Sequence, residues 1–176
     1  ELVGKDIKPQ TFGPELMLLL VDQKVVQFNF PKLSDVLGGK STTNSTEILK
    51  LHQKWEIDFQ SEQVFKRKLI AENEDLIFLN LKAGKSIETY FWTYQRPEGD
   101  NSKQFTGDAF QSVIIGDRIM VVGSPLTSYQ ELSERRRYFN GTLSTLAFFA
   151  KETAFNAPKP APKKTKAKTS KTKTKP

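Results

Sequence analysis

Residues 111–122 read Gln-Ser-Val-Ile-Ile-Gly-Asp-Arg-Ile-Met-Val-Val, and this stretch decides the fold class. Two apolar runs rich in β-branched residues, 109–115 and 118–122, flank Gly116 and Asp117. A Gly-Asp pair between two such runs predicts a two-residue β-hairpin, because glycine supplies the positive φ of a type II′ turn. The chain is therefore expected to form antiparallel strands here.

Two further hairpins are predicted upstream of this one. Residues 16–21 and 24–30 are short β-rich runs that flank Asp-Gln. Residues 76–81 and 87–94 flank Lys-Ala-Gly-Lys in the same manner. Short apolar runs bounded by turn residues are typical of hairpins in an antiparallel sheet.

The segment between these hairpins is more mixed. Residues 46–53 predict a short helix, and residues 55–59 (Trp-Glu-Ile-Asp-Phe) alternate apolar and charged side chains, as a half-buried strand does. Residues 64–70 form a β-rich run before the acidic residues 72–75, which predict a solvated turn rather than a calcium loop.

After Pro125 the apolar residues recur with a helical period. Ser128 and Glu131 have the spacing of a capping box, in which each side chain bonds the other residue's backbone amide. The apolar stripe that follows consists of Leu132, Phe139, Leu143, Leu146 and Ala150. The sequence thus predicts an α+β fold, with an antiparallel sheet of six to eight strands packed by a C-terminal helix.

The C-terminal half of this pattern resembles a known family. The 111–122 hairpin, followed by a helix that ends in Leu-Ser-Thr-Leu-Ala-Phe (143–148), is similar to the closing half of Mog1/PsbP-like domains. The resemblance covers residues 109–150 and consists of hydrophobic periodicity. It implies a non-enzymatic accessory or partner-binding domain, and it assigns no functional residues.

Composition excludes several classes of site and of protein. The 176 residues include no cysteine and one histidine, which excludes disulfides, thiol catalysis and thiolate or His-rich metal sites, and we expect no cofactor. No apolar run approaches the roughly 18 residues that a transmembrane segment needs. The chain begins with Glu rather than Met, which together with the absence of cysteine weakly favours an extracytoplasmic location.

The net charge of +7 is concentrated at the C-terminus. Residues 157–176 contain no acids and eight lysines: Lys159, Lys163, Lys164, Lys166, Lys168, Lys171, Lys173 and Lys175. Taking these eight from the 27 basic residues leaves 19 against 20 acidic residues in 1–156. We predict a single folded domain over 1–156 and a disordered basic tail over 157–176, because the tail has no large apolar side chain to bury.

The tail predicts contact with a polyanion. Nucleic acid, acidic lipid head groups and acidic cell-wall polymers all fit, and such binding would weaken steeply with salt. A solvated spacer without a fixed partner is the alternative.

Candidate sites in the body are few. The Leu-Gly-Gly-Lys-Ser-Thr segment (37–42) partly matches a phosphate-binding loop, but the first glycine of that motif falls on Ser34, which favours a surface loop. His52, in a polar segment, is predicted to face solvent rather than to act in catalysis.

An aromatic strand supplies the remaining candidates. Alternation puts Tyr90, Trp92 and Tyr94 on one face, where they either form an exposed binding stripe or belong to a core covered by the C-terminal helix; we favour the core. The arginines of the helix form either a solvated face or an acid-binding patch. The candidate partner-binding residues are Tyr90, Trp92, Tyr94, Arg135, Arg136 and Arg137.

These observations favour a protein without enzymatic activity. We expect an accessory or assembly module that binds a protein partner, with the lysine-rich tail contacting a polyanion. The alternative is a nucleic-acid-associated protein, a subunit of a DNA or RNA complex that uses the basic tail. The near-neutral body favours the first, since nucleic-acid proteins usually continue their basic stripe over the folded surface.

Overall fold

The protein is built on one antiparallel sheet. A computed structural model describes residues 7–11, 16–21, 24–81, 84–99 and 104–145. Its strands are β1 (Ile7–Thr11), β2 (Leu16–Val21), β3 (Lys24–Asn29), β4 (Ala71–Asn80), β5 (Ser86–Gln95), β6 (Gly107–Ile115) and β7 (Arg118–Leu126). They lie in the order β1-β2-β3-β7-β6-β5-β4, and neighbouring strands are antiparallel throughout. The predicted α+β fold with an antiparallel sheet is confirmed.

Helices lie on both faces of this sheet. The helices are α1 (Leu33–Leu37), α2 (Ser45–Phe59), which continues into a π-helical turn (Gln60–Val64), and α3 (Leu132–Ser144), which follows a 3-10 turn (Tyr129–Glu131). α2 packs on β4, β5 and β6, whereas α3 packs on β4, β6 and β7. The predicted C-terminal helix is confirmed. α2 includes the helix predicted over 46–53, whereas α1 and the packing of α2 on the second face of the sheet were not predicted.

The three predicted hairpins are present. β2 pairs with β3, β4 with β5, and β6 with β7. In the last of these, Ile115 pairs with Arg118, and Gly116 between them has a φ of +62°, as the predicted turn requires.

Alternation along the strands divides the core into two clusters. The cluster on the α3 face contains Leu19, Val26, Phe28, Leu79, Phe91, Ala109, Val113, Met120, Val122, Leu126, Phe139 and Leu143. The cluster on the α2 face contains Val36, Ile48, Leu49, Ile57, Leu69, Tyr90, Trp92, Tyr94, Phe110, Ile119 and Val121. Each helix therefore buries its apolar face against its own side of the sheet.

The prediction of a strand at residues 55–59 was wrong. These residues form the last turns of α2, which begins after Asn44, whose side chain accepts a bond from the Glu47 amide at 3.0 Å. The predicted helix over 46–53 was accordingly too short. Polar residues occupy three inward positions of α2 (His52, Gln53 and Glu56), so the helical period of its apolar residues is interrupted.

The acidic turn predicted at residues 72–75 was also wrong. β4 runs through these residues as one strand, with a bulge between Glu72 and Asp75 where Asn73 adopts a φ of +52°. The preceding residues 64–70 form the end of the π-helical turn and an irregular segment rather than a strand. A bulge and a turn both need unusual backbone angles and therefore favour the same residue types. The sequence of this bulge was for that reason interpreted as a turn.

The prediction of a capping box at Ser128 and Glu131 was also wrong. Ser128 precedes a 3-10 turn rather than α3, and it makes no side-chain capping bond; its backbone carbonyl accepts the bond from the Glu131 amide. The Glu131 carboxylate accepts bonds from the Thr127 hydroxyl and from Arg135 Nη2 instead. Of the predicted stripe, Phe139 and Leu143 are buried, while Leu146 and Ala150 lie outside the described residues.

Two further predictions concern membrane crossing and the tail. No helix among the described residues is long and apolar enough to cross a membrane. Residues 157–176, with the eight predicted polyanion-binding lysines, lie outside the described residues.

Candidate functional site

The aromatic face of β5 is part of the core. Tyr90, Trp92 and Tyr94 are all buried beneath α2, and Trp92 stacks on Phe110 with 4.4 Å between ring centroids. The core interpretation is therefore correct, but the covering helix is α2 rather than the C-terminal helix. An exposed binding stripe at these residues, the basis for naming them as partner-binding, is not present in the structure.

The three arginines of α3 point in different directions. Arg135 is buried and donates to Glu131 at 3.2 Å. Arg136 pairs with Asp75 and lies over the Phe91 ring, 5.4 Å from its centroid, while Arg137 is exposed. Successive helical residues are about 100° apart, so the structure does not bring these guanidinium groups into one patch.

His52 is buried, and the prediction that it faces solvent was wrong. No side-chain or backbone group of the described residues bonds either ring nitrogen. Burial lowers the pKa of His52 to about 4, so the ring is neutral at physiological pH. The ring stacks against Trp55 on the same helix, at a centroid distance of 6.2 Å.

Glu56 lies one turn further along α2 and is buried as well. Burial raises the pKa of this carboxyl group, and a bond from Gln60 Nε2 to Oε1 at 2.8 Å partly opposes the rise. Desolvation thus favours the neutral form of both His52 and Glu56.

A hydrogen-bonded ion pair lies near the same end of α2. Arg96 donates from Nε and Nη2 to the two oxygens of Asp108, at 2.7 and 2.8 Å. Burial and the hydrogen-bonded Asp108 carboxylate both raise the pKa of Tyr94. The guanidinium also lies over the rings of Phe65 and Phe105. These bonds occupy the Asp108 carboxylate and hold the β5–β6 pair together.

The buried titratable groups are poorly placed for catalysis. General acid–base chemistry needs a group within hydrogen-bond reach of a substrate, directly or through one water. His52 and Glu56 are enclosed between α2 and the sheet, and neither lines the cleft of about 510 Å³ at the end of α2. Within the described ranges, no cluster of three or more His, Asp or Glu side chains is placed to hold a metal ion.

The exposed flank of α2 carries an apolar stripe, which we call the α2 stripe: Trp55, Phe59 and Val64. These three residues are 37%, 47% and 54% exposed, respectively. The rings of Trp55 and Phe59 stack with centroids 6.3 Å apart. A four-residue step aligns the two rings in the α-helix. Val64, five residues after Phe59, ends the π-helical turn, in which hydrogen bonds join residues five apart, and it is exposed as well.

Sequence reasoning missed this stripe because residues 55–59 were assigned to a strand. The four-residue spacing of Leu51, Trp55 and Phe59 is the signal that indicates it.

A basic cleft follows the π-helical turn. The cleft of about 510 Å³ is lined by Asp58, Ser61, Glu62, Lys66, Arg67, Lys68 and Leu69. Lys66 has a φ of +51°, and Arg67 Nη1 is held by the Glu98 carbonyl at 2.8 Å. Three consecutive cations are therefore exposed around a cavity that also carries two acids.

Residues 38–42 of the glycine-rich segment form a surface loop, as favoured above, while Leu37 ends α1. α1 separates this loop from β3, and Gly38 caps α1 in the left-handed conformation. The next helix begins only at Ser45, so the strand–loop–helix arrangement of a phosphate-binding loop is not formed.

Comparison of this chain with known protein families finds no match, and comparison with curated proteins finds none either. Support for a function therefore comes from the side-chain geometry.

Proposed function

We propose that this chain is a non-catalytic accessory or assembly module that binds a protein partner through the α2 stripe. The observation that carries the proposal is the exposed ring stack of Trp55 and Phe59, continued by Val64. Aromatic side chains are enriched at the centres of protein interfaces, where burial of large rings supplies much of the binding energy.

The helix that carries the stripe is anchored to the sheet. The stripe lies on one continuous helical segment, and the opposite face of that segment is anchored by Leu49 and Ile57 in the core. A backbone that is already ordered before binding reduces the entropy lost when a partner binds. A partner with a complementary apolar surface would gain most from contacts with these residues.

The closed interior supports the absence of catalysis. His52 and Glu56 are the groups best suited to acid–base chemistry in chemical type, and both are enclosed by α2 and the sheet. The resemblance of residues 109–150 to Mog1/PsbP-like domains points to an accessory role as well.

The proposal includes a polyanion contact by the lysine-rich residues 157–176. Eight cations without an intervening acid provide a sequence-independent, salt-sensitive attraction.

The basic cleft favours a second candidate, a nucleic-acid-associated protein. Lys66, Arg67 and Lys68 add three exposed cations at one place on the folded body. Asp58 and Glu62 in the same lining reduce this field, and so we rank this candidate second.

The test is recovery of a partner from the native source, followed by its purification and a direct affinity measurement. We expect the double variant Trp55→Ser, Phe59→Ser to weaken binding of the purified protein partner by at least about tenfold. Val25→Ser is the matched control, because Val25 is 38% exposed, as against 37% for Trp55. Recovery of DNA or RNA complexes, lost when Lys66 and Lys68 become Ala, would favour the second candidate instead.

Tryptophan fluorescence gives an independent readout. Trp55 is 37% exposed, whereas Trp92 is fully buried. Partner binding at the α2 stripe should shift the emission of Trp55 to the blue and protect it from acrylamide, with Trp92 unaffected. Unchanged quenching of Trp55 in the complex would place the interface elsewhere.

A further inference from the structure

β4 forms one edge of the sheet. It pairs with β5 along one side, and no strand of the described residues pairs with its other side. Unpaired N–H and C=O groups on a long edge strand are a template for another strand, and proteins normally block such edges with bulges, charges or proline.

The first half of β4 is blocked in this way. The bulge between Glu72 and Asp75 interrupts the strand, and Asn73 there adopts a positive φ. Side chains of this half are also committed within the chain: Asn73 Nδ2 donates to Thr93 Oγ1 at 2.9 Å, and the Tyr90 hydroxyl donates to Glu74. A second strand would find no regular backbone to pair with here.

The second half of β4 has none of these protections. Residues 76–80 read Leu-Ile-Phe-Leu-Asn, without charge or proline, and pair with β5 in unbroken register. Phe78, in the middle, is 68% exposed. This five-residue segment is therefore an apolar, regular and unpaired edge.

We infer that this edge binds the same edge of a second copy of the chain, in an antiparallel pairing about a two-fold axis at Phe78. A two-fold axis perpendicular to the strands makes any edge pair with itself in antiparallel orientation. Directly opposed residues lie on the same face, so the two Phe78 rings meet. Ile77 then lies opposite Leu79 of the second copy, and the exposed rings are buried.

The distribution of charge along β4 supports a second copy as the occupant. Acidic residues lie at the start of the strand (Glu72 and Glu74), and the exposed Lys85 lies in the connection that follows it. Antiparallel self-pairing brings the acidic end of each strand toward the basic end of the other. Opposite charges near an interface fix the register and favour this pairing over others.

Sedimentation equilibrium of the full chain, up to about 1 mM, tests the inference, because pairing through one short strand buries a small interface. We expect a monomer–dimer equilibrium, and Phe78→Lys should raise its Kd by at least about tenfold. Ile70→Lys is the matched control, since Ile70 is also 68% exposed but precedes β4. Circular dichroism of each variant checks that the fold is retained.

A cysteine cross-link tests the register, because the chain has no cysteine of its own. In the paired edges, opposed Cβ atoms lie roughly 4.5–5.5 Å apart, so Phe78→Cys should form an intermolecular disulfide on mild oxidation. Asn80→Cys should not, because the two cysteines would be roughly 13 Å apart along the strands. A monomer at all concentrations, equal effects of the two lysine variants, or faster cross-linking at position 80 would each overturn the inference.

Discussion

His52 and Glu56 lie one turn apart on the buried face of α2, and the same apolar layer opposes ionisation of both. Burial lowers the pKa of the histidine to about 4 and raises that of the carboxyl group. The two residues therefore make the stability of the fold depend on pH in opposite directions.

Replacing His52 with Leu should remove an acid-induced loss of stability. The unfolded chain protonates His52 near pH 6.5 and the folded chain only near 4, so the unfolded state binds more protons between these values. The free energy of unfolding of the wild type should therefore fall by about 3 kcal/mol, from this residue, as the pH drops from 7 to 4. Urea titrations of wild type and His52→Leu at both pH values measure the difference. Equal pH dependence in the two proteins would show that His52 is reached by solvent.

Replacing Glu56 with Gln should have the opposite pH signature. Because the folded-state pKa is raised, the wild type loses stability as the pH rises from the unfolded value of 4.5 through the folded value. We expect Glu56→Gln to be more stable than the wild type at pH 7 and to lose this advantage at pH 4. Denaturation midpoints at the two pH values test it, and an advantage independent of pH would contradict it.

Breaking the ion pair of Arg96 and Asp108 should be costly. Asp108→Asn removes the carboxylate charge that accepts two bonds from the largely buried Arg96 guanidinium, and we expect a loss of about 3 kcal/mol in the free energy of unfolding. Asp58→Asn is the matched control, since Asp58 makes an exposed pair with Lys54. Its effect should stay within about 0.5 kcal/mol. A similar loss of unfolding free energy in both variants would contradict the view that burial makes the Arg96–Asp108 pair the more important one.

Two glycine substitutions should change stability with opposite signs. A Cβ on Gly123 would lie 2.7 Å from two ring atoms of Phe110, which is held in place by its stacking on Trp92. We expect Gly123→Ala to cost about 1–3 kcal/mol. Gly141→Ala, on α3 with open space around it, should gain roughly 0.5–1 kcal/mol. Thermal melts of both variants measure these changes in stability. A Gly123→Ala variant as stable as the wild type would mean that Phe110 can shift.

Deleting residues 157–176 should separate stability from polyanion binding. The segment has no apolar side chain larger than proline or alanine, so the melting temperature should change by less than about 2 °C. Binding to DNA, RNA or anionic vesicles should be mostly lost, because eight lysines are removed and the remainder is near neutral. Melting curves and salt titrations of the two chains measure both effects. Retained affinity would move the binding surface to Lys66, Arg67 and Lys68.

The local sequence was sufficient to predict those elements whose contacts are made between neighbours along the chain. The hairpin at Gly116 and Asp117 needs only a positive φ and two flanking β-rich runs, and the structure has it in the predicted register. The same holds for the β2–β3 and β4–β5 hairpins and for the helix after Pro125. The candidate site was harder to predict, because partner binding depends on which side chains remain uncovered.

The α2 segment shows why. Its alternating Trp-Glu-Ile-Asp-Phe end satisfies a strand pattern over five residues, while its inward positions include His52, Gln53 and Glu56. These polar residues are buried only because α2 packs on the sheet. Likewise, the burial of Tyr90, Trp92 and Tyr94 and the exposure of Trp55 and Phe59 follow from where α2 lies on β4, β5 and β6.

The sequence by itself determined the α+β class, the hairpin turns, the C-terminal helix and the concentration of positive charge in residues 157–176. These properties follow from backbone preferences, short-range periodicity and composition, which act over a few residues. Only the tertiary structure decided which faces of β5 and α2 are covered, and it left Phe78 on an open edge. Burial is a property of contacts between distant segments, and so His52 became neutral and interior while the rings of the α2 stripe remained exposed to solvent.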